Sequence, residues 1–190
     1  MCVFTDIDDE IYSVPKKPRE DTNPFKAWLN NLELAKEESE EPTPIDQLKD
    51  YNEENCIERI KKWTVLLSSF ENKSINKYYK FGLDLALYKA LIIKNCNNCD
   101  SNTCDINPFQ VLSCKICCKN KNKFTTFKNT IENELQLNIS HVNNVIDVAK
   151  ICYVFPQFLK LNVTFSDLKK FKSIIKQSDG EVKSTLATKF

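Results

Sequence analysis

Apolar residues recur at three- and four-residue spacing along most of the chain, the period of helices with one buried face. From Pro44 onward, Ile45, Leu48, Tyr51, Ile57, Ile60, Trp63, Leu66, Leu67 and Phe70 form one such stripe, interrupted near Asn52–Asn55. Residues 75–94 hold the run FGLDLALYKALII, apolar nearly all round apart from Asp84 and Lys89, which predicts the most buried helix. A helix over 124–137 places Phe124, Phe127, Ile131 and Leu135 on one face. Another over 141–154 turns Val142, Val145, Ile146, Ala149 and Tyr153 inward and ends at Pro156. A last helix runs to about Lys176, with Leu168, Phe171, Ile174 and Ile175 apolar. Thr43 followed by Pro44, then Ser74, Ser140, and Ser166 or Asp167 are the expected helix starts. Only residues 158–165, FLKLNVTF, alternate as a strand does, and no second strand is evident to pair with them. The expected fold class is all-α: a bundle-like domain of five or six helices.

Charge divides the chain. Residues 1–43 carry eleven acids against five bases, together with Pro15, Pro18 and Pro24, and are expected to be a mostly disordered acidic arm. Within it, residues 25–36, FKAWLNNLELAK, space Phe25, Leu29, Leu32 and Leu34 as a short amphipathic segment. One reading is a leucine-rich, export-type motif that docks these four side chains in the groove of an exportin-type receptor. The other is a short helix packed on the domain's own core, with Trp28 as anchor. The domain is expected over 44–178 and a flexible tail over 179–190.

The middle of the helical pattern is broken by a cysteine-rich insertion at 94–122, which holds six of the nine cysteines. Cys96 and Cys99 form one Cys-x-x-Cys pair, and Cys114 and Cys117 form a second, with fourteen residues between the pairs. Each pair presents two thiolates to one ion from the same side, and two pairs complete a tetrahedral S4 site, for which zinc is the usual occupant. Four thiolates leave no open coordination position, so the site is expected to be structural. Cys104 and Cys118 are alternate ligands, and disulfides are the competing use of the same residues.

Composition narrows the chemistry. Two glycines in the whole chain disfavour phosphate-binding glycine loops and dinucleotide fingerprints. His141, the one histidine, lies in a helical pattern with no nucleophile motif nearby, and no enzyme is expected. No apolar run approaches the length of a membrane span, and the acidic start MCVFTDIDDE lacks the basic region of a secretion signal. Nucleus and cytoplasm are therefore expected, where thiols stay reduced and metal is favoured over disulfides. The partners expected are proteins. The alternative is nucleic acid, bound by Lys119, Lys121 and Lys123 with Phe124 and Phe127 as stacking groups.

Lysine, asparagine and isoleucine dominate the composition, as in the products of AT-rich genomes. With the cluster Cys96/Cys99/Cys104/Cys114/Cys117/Cys118 and the spacing Phe25/Leu29/Leu32/Leu34, the chain resembles the baculovirus family of small cysteine-rich, zinc-finger-like late proteins. That resemblance spans residues 25–176. It implies a nuclear accessory role: interference with exportin-dependent export, retention of host actin-nucleating complexes in the nucleus, and support of virion production. Phe25, Leu29, Leu32 and Leu34 would carry the exportin contact.

Overall fold

Eight consecutive buried residues, 81–88, make α3 (Ile75–Lys94) the axis around which the other helices pack. The computed structural model describes residues 23–35, 52–68, 74–94, 107–113 and 121–190. Around α3 stand α2 (Glu53–Ser68), the short α4 (Pro108–Val111), α5 (Lys121–Asn129) and α6 (Ile139–Val154). α7 (Phe165–Gln177) lies on α6, while α1 (Pro24–Asn30) and α8 (Asp179–Ala187) close the same end of the core. The all-α class holds, with eight α-helices among the described residues rather than five or six. The expected start of the domain at Thr43–Pro44 lies outside the described residues.

Each neighbour meets α3 through a different kind of contact. α6 comes closest, because Gly82 offers no side chain where Val145 and Ala149 press in. α2 is fastened by a polar clasp: Arg59 pairs with Asp84 at 3.0 Å, and Trp63 Nε1 donates to the same carboxylate at 2.7 Å. Asp84 is 1% exposed, so its charge is satisfied only by these two side chains of α2 and their surroundings. α5 packs Phe127 against Tyr88. It then widens into a π-helical turn, Thr130–Glu134, in which Leu135 N–H donates to the Thr130 carbonyl at 3.0 Å. The single helix expected over 124–137 therefore changes register at Thr130, and Leu135 is only half-buried.

Two boundaries differ from the sequence expectation. Residues 24–35 are part of the domain, not of a free arm. Asn23 caps α1 by accepting from Phe25 N–H at 3.0 Å, Pro24 takes the first helical position, and Phe25 and Leu29 enter the core. The chain then supplies the partner that residues 158–165 lacked. Ala35 N–H donates to the Lys160 carbonyl at 2.9 Å, and Asn162 N–H to the Glu33 carbonyl at 2.8 Å, forming one antiparallel bridge between Leu34 and Leu161. Phe158–Lys160 end a 3-10 turn that begins at Pro156, and Phe165 opens α7.

The second correction is the tail. Residues 179–187 form α8, with Val182 and Leu186 fully buried. Lys189 then donates to the carbonyls of Asn30 and Leu32, tying the end of the chain to the end of α1. α8 packs both on the neighbouring α7 and on α1, from the opposite end of the described sequence.

Candidate metal centre

All six cysteines of the insertion lie outside the described residues, so the ligand candidates Cys96, Cys99, Cys114 and Cys117 and the alternates Cys104 and Cys118 have no described positions. Their mount, however, is defined. α3 ends at Lys94, two residues before Cys96. Ser113 immediately precedes Cys114, and α5 begins at Lys121, three residues after Cys118. Ala90 and Ile93 of α3 and Val111 of α4 form a small buried cluster of their own, with Leu112 and Phe124 packed against it. Three chain ends that flank the cysteines thus meet at one apolar point.

α4 is what brings them together. Asn107 caps it, accepting from Phe109 N–H at 2.9 Å, and Pro108 fills the first helical position. Phe109 and Val111 are buried, and Phe109 lies 5.3 Å from the ring of Tyr153 on α6. Asn107 Nδ2 donates to the Tyr153 hydroxyl at 2.8 Å, and Lys150 Nζ to Ser113 Oγ at 2.7 Å. Pinned in this way, α4 divides the connection between α3 and α5 into stretches of twelve residues (95–106) and seven residues (114–120). Each stretch carries three cysteines, including one Cys-x-x-Cys pair. An ion held by both pairs would join two stretches of chain already tethered at α4, which lowers the entropy lost on assembly.

The triplet Asn107-Pro108-Phe109 repeats Asn23-Pro24-Phe25, and both build the same start: asparagine cap, proline at the first position, buried phenylalanine. The cap-and-proline signal was present at 107–108. It stands inside a stretch that the cysteines had defined as an insertion, and so α4 was not anticipated.

The described cysteines belong to other chemistry. Cys56 and Cys152 are buried thiols with 0% exposure. Burial, reinforced by the nearby Asp84 carboxylate and opposed by Arg59, pushes the Cys56 thiol up to about 12. Burial alone holds Cys152 far above the ordinary thiol range. Both are inert core residues at neutral pH. Among the described residues, no group of three or more His, Cys, Asp or Glu side chains offers a metal site. His141 lies in the first turn of α6, 5.7 Å from the Phe165 ring.

Of the four side chains expected to meet an exportin-type receptor, Phe25 and Leu29 are 1% exposed and Leu32 is 8% exposed. Only Leu34 faces solvent. Trp28 packs between Phe171, at 4.8 Å, and Phe158, at 6.1 Å. A receptor groove cannot take Phe25, Leu29 and Leu32 together without withdrawing the segment from the core. Of the lysines expected to meet nucleic acid, Lys119 lies outside the described residues, Lys121 opens α5, and Lys123, two residues on, is half-buried. Phe127 is buried, Phe124 packs on the cluster of the mount, and Lys89 lies over both rings at 5.1 and 5.3 Å. Neither ring stands free to stack on a base. None of the described helices is long and apolar enough to cross a membrane.

No family model, curated protein or solved structure matches this chain.

Proposed function

We propose that this chain is a non-enzymatic interaction module in which a helical body carries a zinc-stabilised head at the C-terminal end of α3. Cys96, Cys99, Cys114 and Cys117 hold the ion, with Cys104 or Cys118 able to replace a neighbour. The observation that supports this most is the meeting of three cysteine-flanking chain ends at the Ala90/Ile93/Val111 cluster. Zinc in such a centre supplies folding energy to the two loops and leaves the surface of the head to make contacts. The partner is protein. With Phe25, Leu29 and Leu32 in the core, partner contact is assigned to the head and not to the 25–34 segment.

A polyanion is the second reading, and charge supports it. The described residues hold nineteen Lys and Arg against eleven Asp and Glu, a net of +8, whereas the whole chain is +1. The remaining segments therefore carry −7. The inward packing of Phe124 and Phe127 weighs against base stacking and leaves phosphate contact as the mode available.

Both readings are tested on the full chain purified without added metal. Elemental mass spectrometry with thiol counting should give one zinc per chain and four thiols released by a chelator. A metal-free chain with all six cysteines of the insertion reactive would overturn the zinc head. Salt-sensitive binding of a random-sequence duplex, weakened on changing Lys119, Lys121 and Lys123 to Ala, would favour the polyanion over the protein partner.

A further inference from the structure

A groove of about 420 Å³ runs beside the mount, between α2 and α5, with Tyr88 and Ile92 of α3 as its floor. Glu53 and Ile57 form one wall. Lys123, Thr126, Thr130 and Glu134 form the other. Its chemistry is specific. Tyr88 is 3% exposed, and its hydroxyl is hydrogen-bonded to Thr130; Thr130 Oγ1 in turn reaches Glu134 Oε1 at 3.5 Å. The π-helical turn is what sets these groups, since it buries Thr130 at the start of the turn while leaving Glu134, at its end, in solvent. Glu53 and Glu134 stand one on each wall of the groove. On a described body of net charge +8, this rim is locally acidic, with two carboxylates against the one ammonium of Lys123.

We propose that this groove receives an arginine side chain from a partner protein. Ile57 and Ile92 offer an apolar bed for the methylenes, and the two carboxylates with the Thr130 and Tyr88 oxygens offer more acceptors than an ammonium can use at once. A guanidinium, with five donors in a flat fork, matches acceptors that approach from two walls. The groove has room for a whole arginine side chain together with the backbone that carries it. The proposal is independent of the metal: it rests on α2, α3, α5 and the π-helical turn that follows α5.

The test is an NMR titration of the full chain with the capped tripeptide Gly-Arg-Gly, using the same tripeptide with citrulline, its uncharged isostere, as control. The arginine peptide should shift the amide signals of Thr126, Thr130 and Glu134, and the citrulline peptide should not. Glu53→Gln and Glu134→Gln, both exposed in the native fold, should each weaken binding about tenfold, the scale of one hydrogen bond between charged groups. Retained signal dispersion shows that each variant is folded. Equal binding of the citrulline peptide, unchanged affinity in both glutamine variants, or shifts confined to other surfaces would overturn the proposal. Free arginine binding as tightly as the peptide would also overturn it, by marking a small-molecule site.

Discussion

Gly82 of α3 and Ala149 of α6 lie so close that a Cβ added to Gly82 would stand 2.5 Å from the Ala149 Cβ. The same atom would meet the Val145 carbonyl oxygen at 2.7 Å, so neither a rotamer change nor a small side-chain shift removes the conflict. Gly82→Ala improves helix propensity by about 1 kcal/mol but forces the two central helices apart. The expected net result is a loss of about 2 kcal/mol in urea denaturation. Adding Ala149→Gly should restore part of it, because the Cβ contact is relieved and the carbonyl contact stays. A more stable Gly82→Ala would show that the helices separate without loss of packing.

The clasp on Asp84 predicts an asymmetry between its partners. Burial raises the Asp84 pKa above the usual carboxylate range, and Arg59 and Trp63 bring it only partly back. The ionised form is thus less favourable in the folded chain than in water. Asp84→Asn keeps an acceptor for both Trp63 and the half-exposed Arg59; it should change stability by less than about 1 kcal/mol at neutral pH. Arg59→Ala strands the buried carboxylate and should cost about 2 kcal/mol. Because a raised folded pKa favours the protonated form, that cost should be small below the unfolded-state pKa and grow as pH rises. Urea midpoints at acid and neutral pH decide it, and equal losses for the two variants would contradict the clasp.

Asp147 behaves in the opposite way. Lys172 meets one carboxylate oxygen at 2.8 Å and Lys176 the other at 3.2 Å, fastening α7 to α6. Burial pushes the Asp147 pKa up, but the Lys172 hydrogen bond and the charges of Lys176 and Lys172 outweigh it and hold the group below its ordinary value of 3.8. A depressed folded pKa gives stability that is present above the unfolded value and lost as pH falls through the folded one. Asp147→Asn should therefore cost up to about 1 kcal/mol at neutral pH, for a pair this near the surface. The gap from the parent chain should close in acid and narrow in high salt. A gap that persists below the carboxylate range would assign the loss to packing.

What the sequence disclosed follows from where each element finds its partners. α3, α6 and α7 bury stripes long enough for the helical period to stand out. The period resolves a face and not a neighbour: of the adjacent pair Ile174 and Ile175, the chain buries Ile175 and leaves Ile174 37% exposed. Tyr153, expected inward, is 37% exposed because its hydroxyl serves Asn107 on α4, a partner 46 residues away. α8 was missed for a similar reason. Val182 and Leu186 are a weak signal alone, and part of what covers α8 is α1, in a segment that charge had assigned to an arm. At the candidate metal centre, the Cys-x-x-Cys spacing named candidate ligands, whereas the mount depends on α4, whose cap signal was legible but overshadowed by the cysteines.

The mount gives the last prediction. If α4 shortens the loops that the ion must close, loosening α4 should weaken metal binding while the helical body stays folded. Val111→Asp places a charge in the Ala90/Ile93/Val111 cluster and should expel α4. Asn107→Ala is the milder change, removing both the cap and the contact with Tyr153, at about 1 kcal/mol for the cap. Merging two short loops into one costs about 0.6 kcal/mol per doubling of length, or about threefold in affinity, before any loss of pre-orientation. Zinc affinity, measured by competition with a chromogenic chelator, should fall at least that much in both variants and further in Val111→Asp. Circular dichroism and the urea midpoint report whether the body is intact. Unchanged zinc affinity with α4 released would mean that the head assembles without its mount; loss of the whole fold in both variants would make α4 a pillar of the core instead of an anchor for the cysteines.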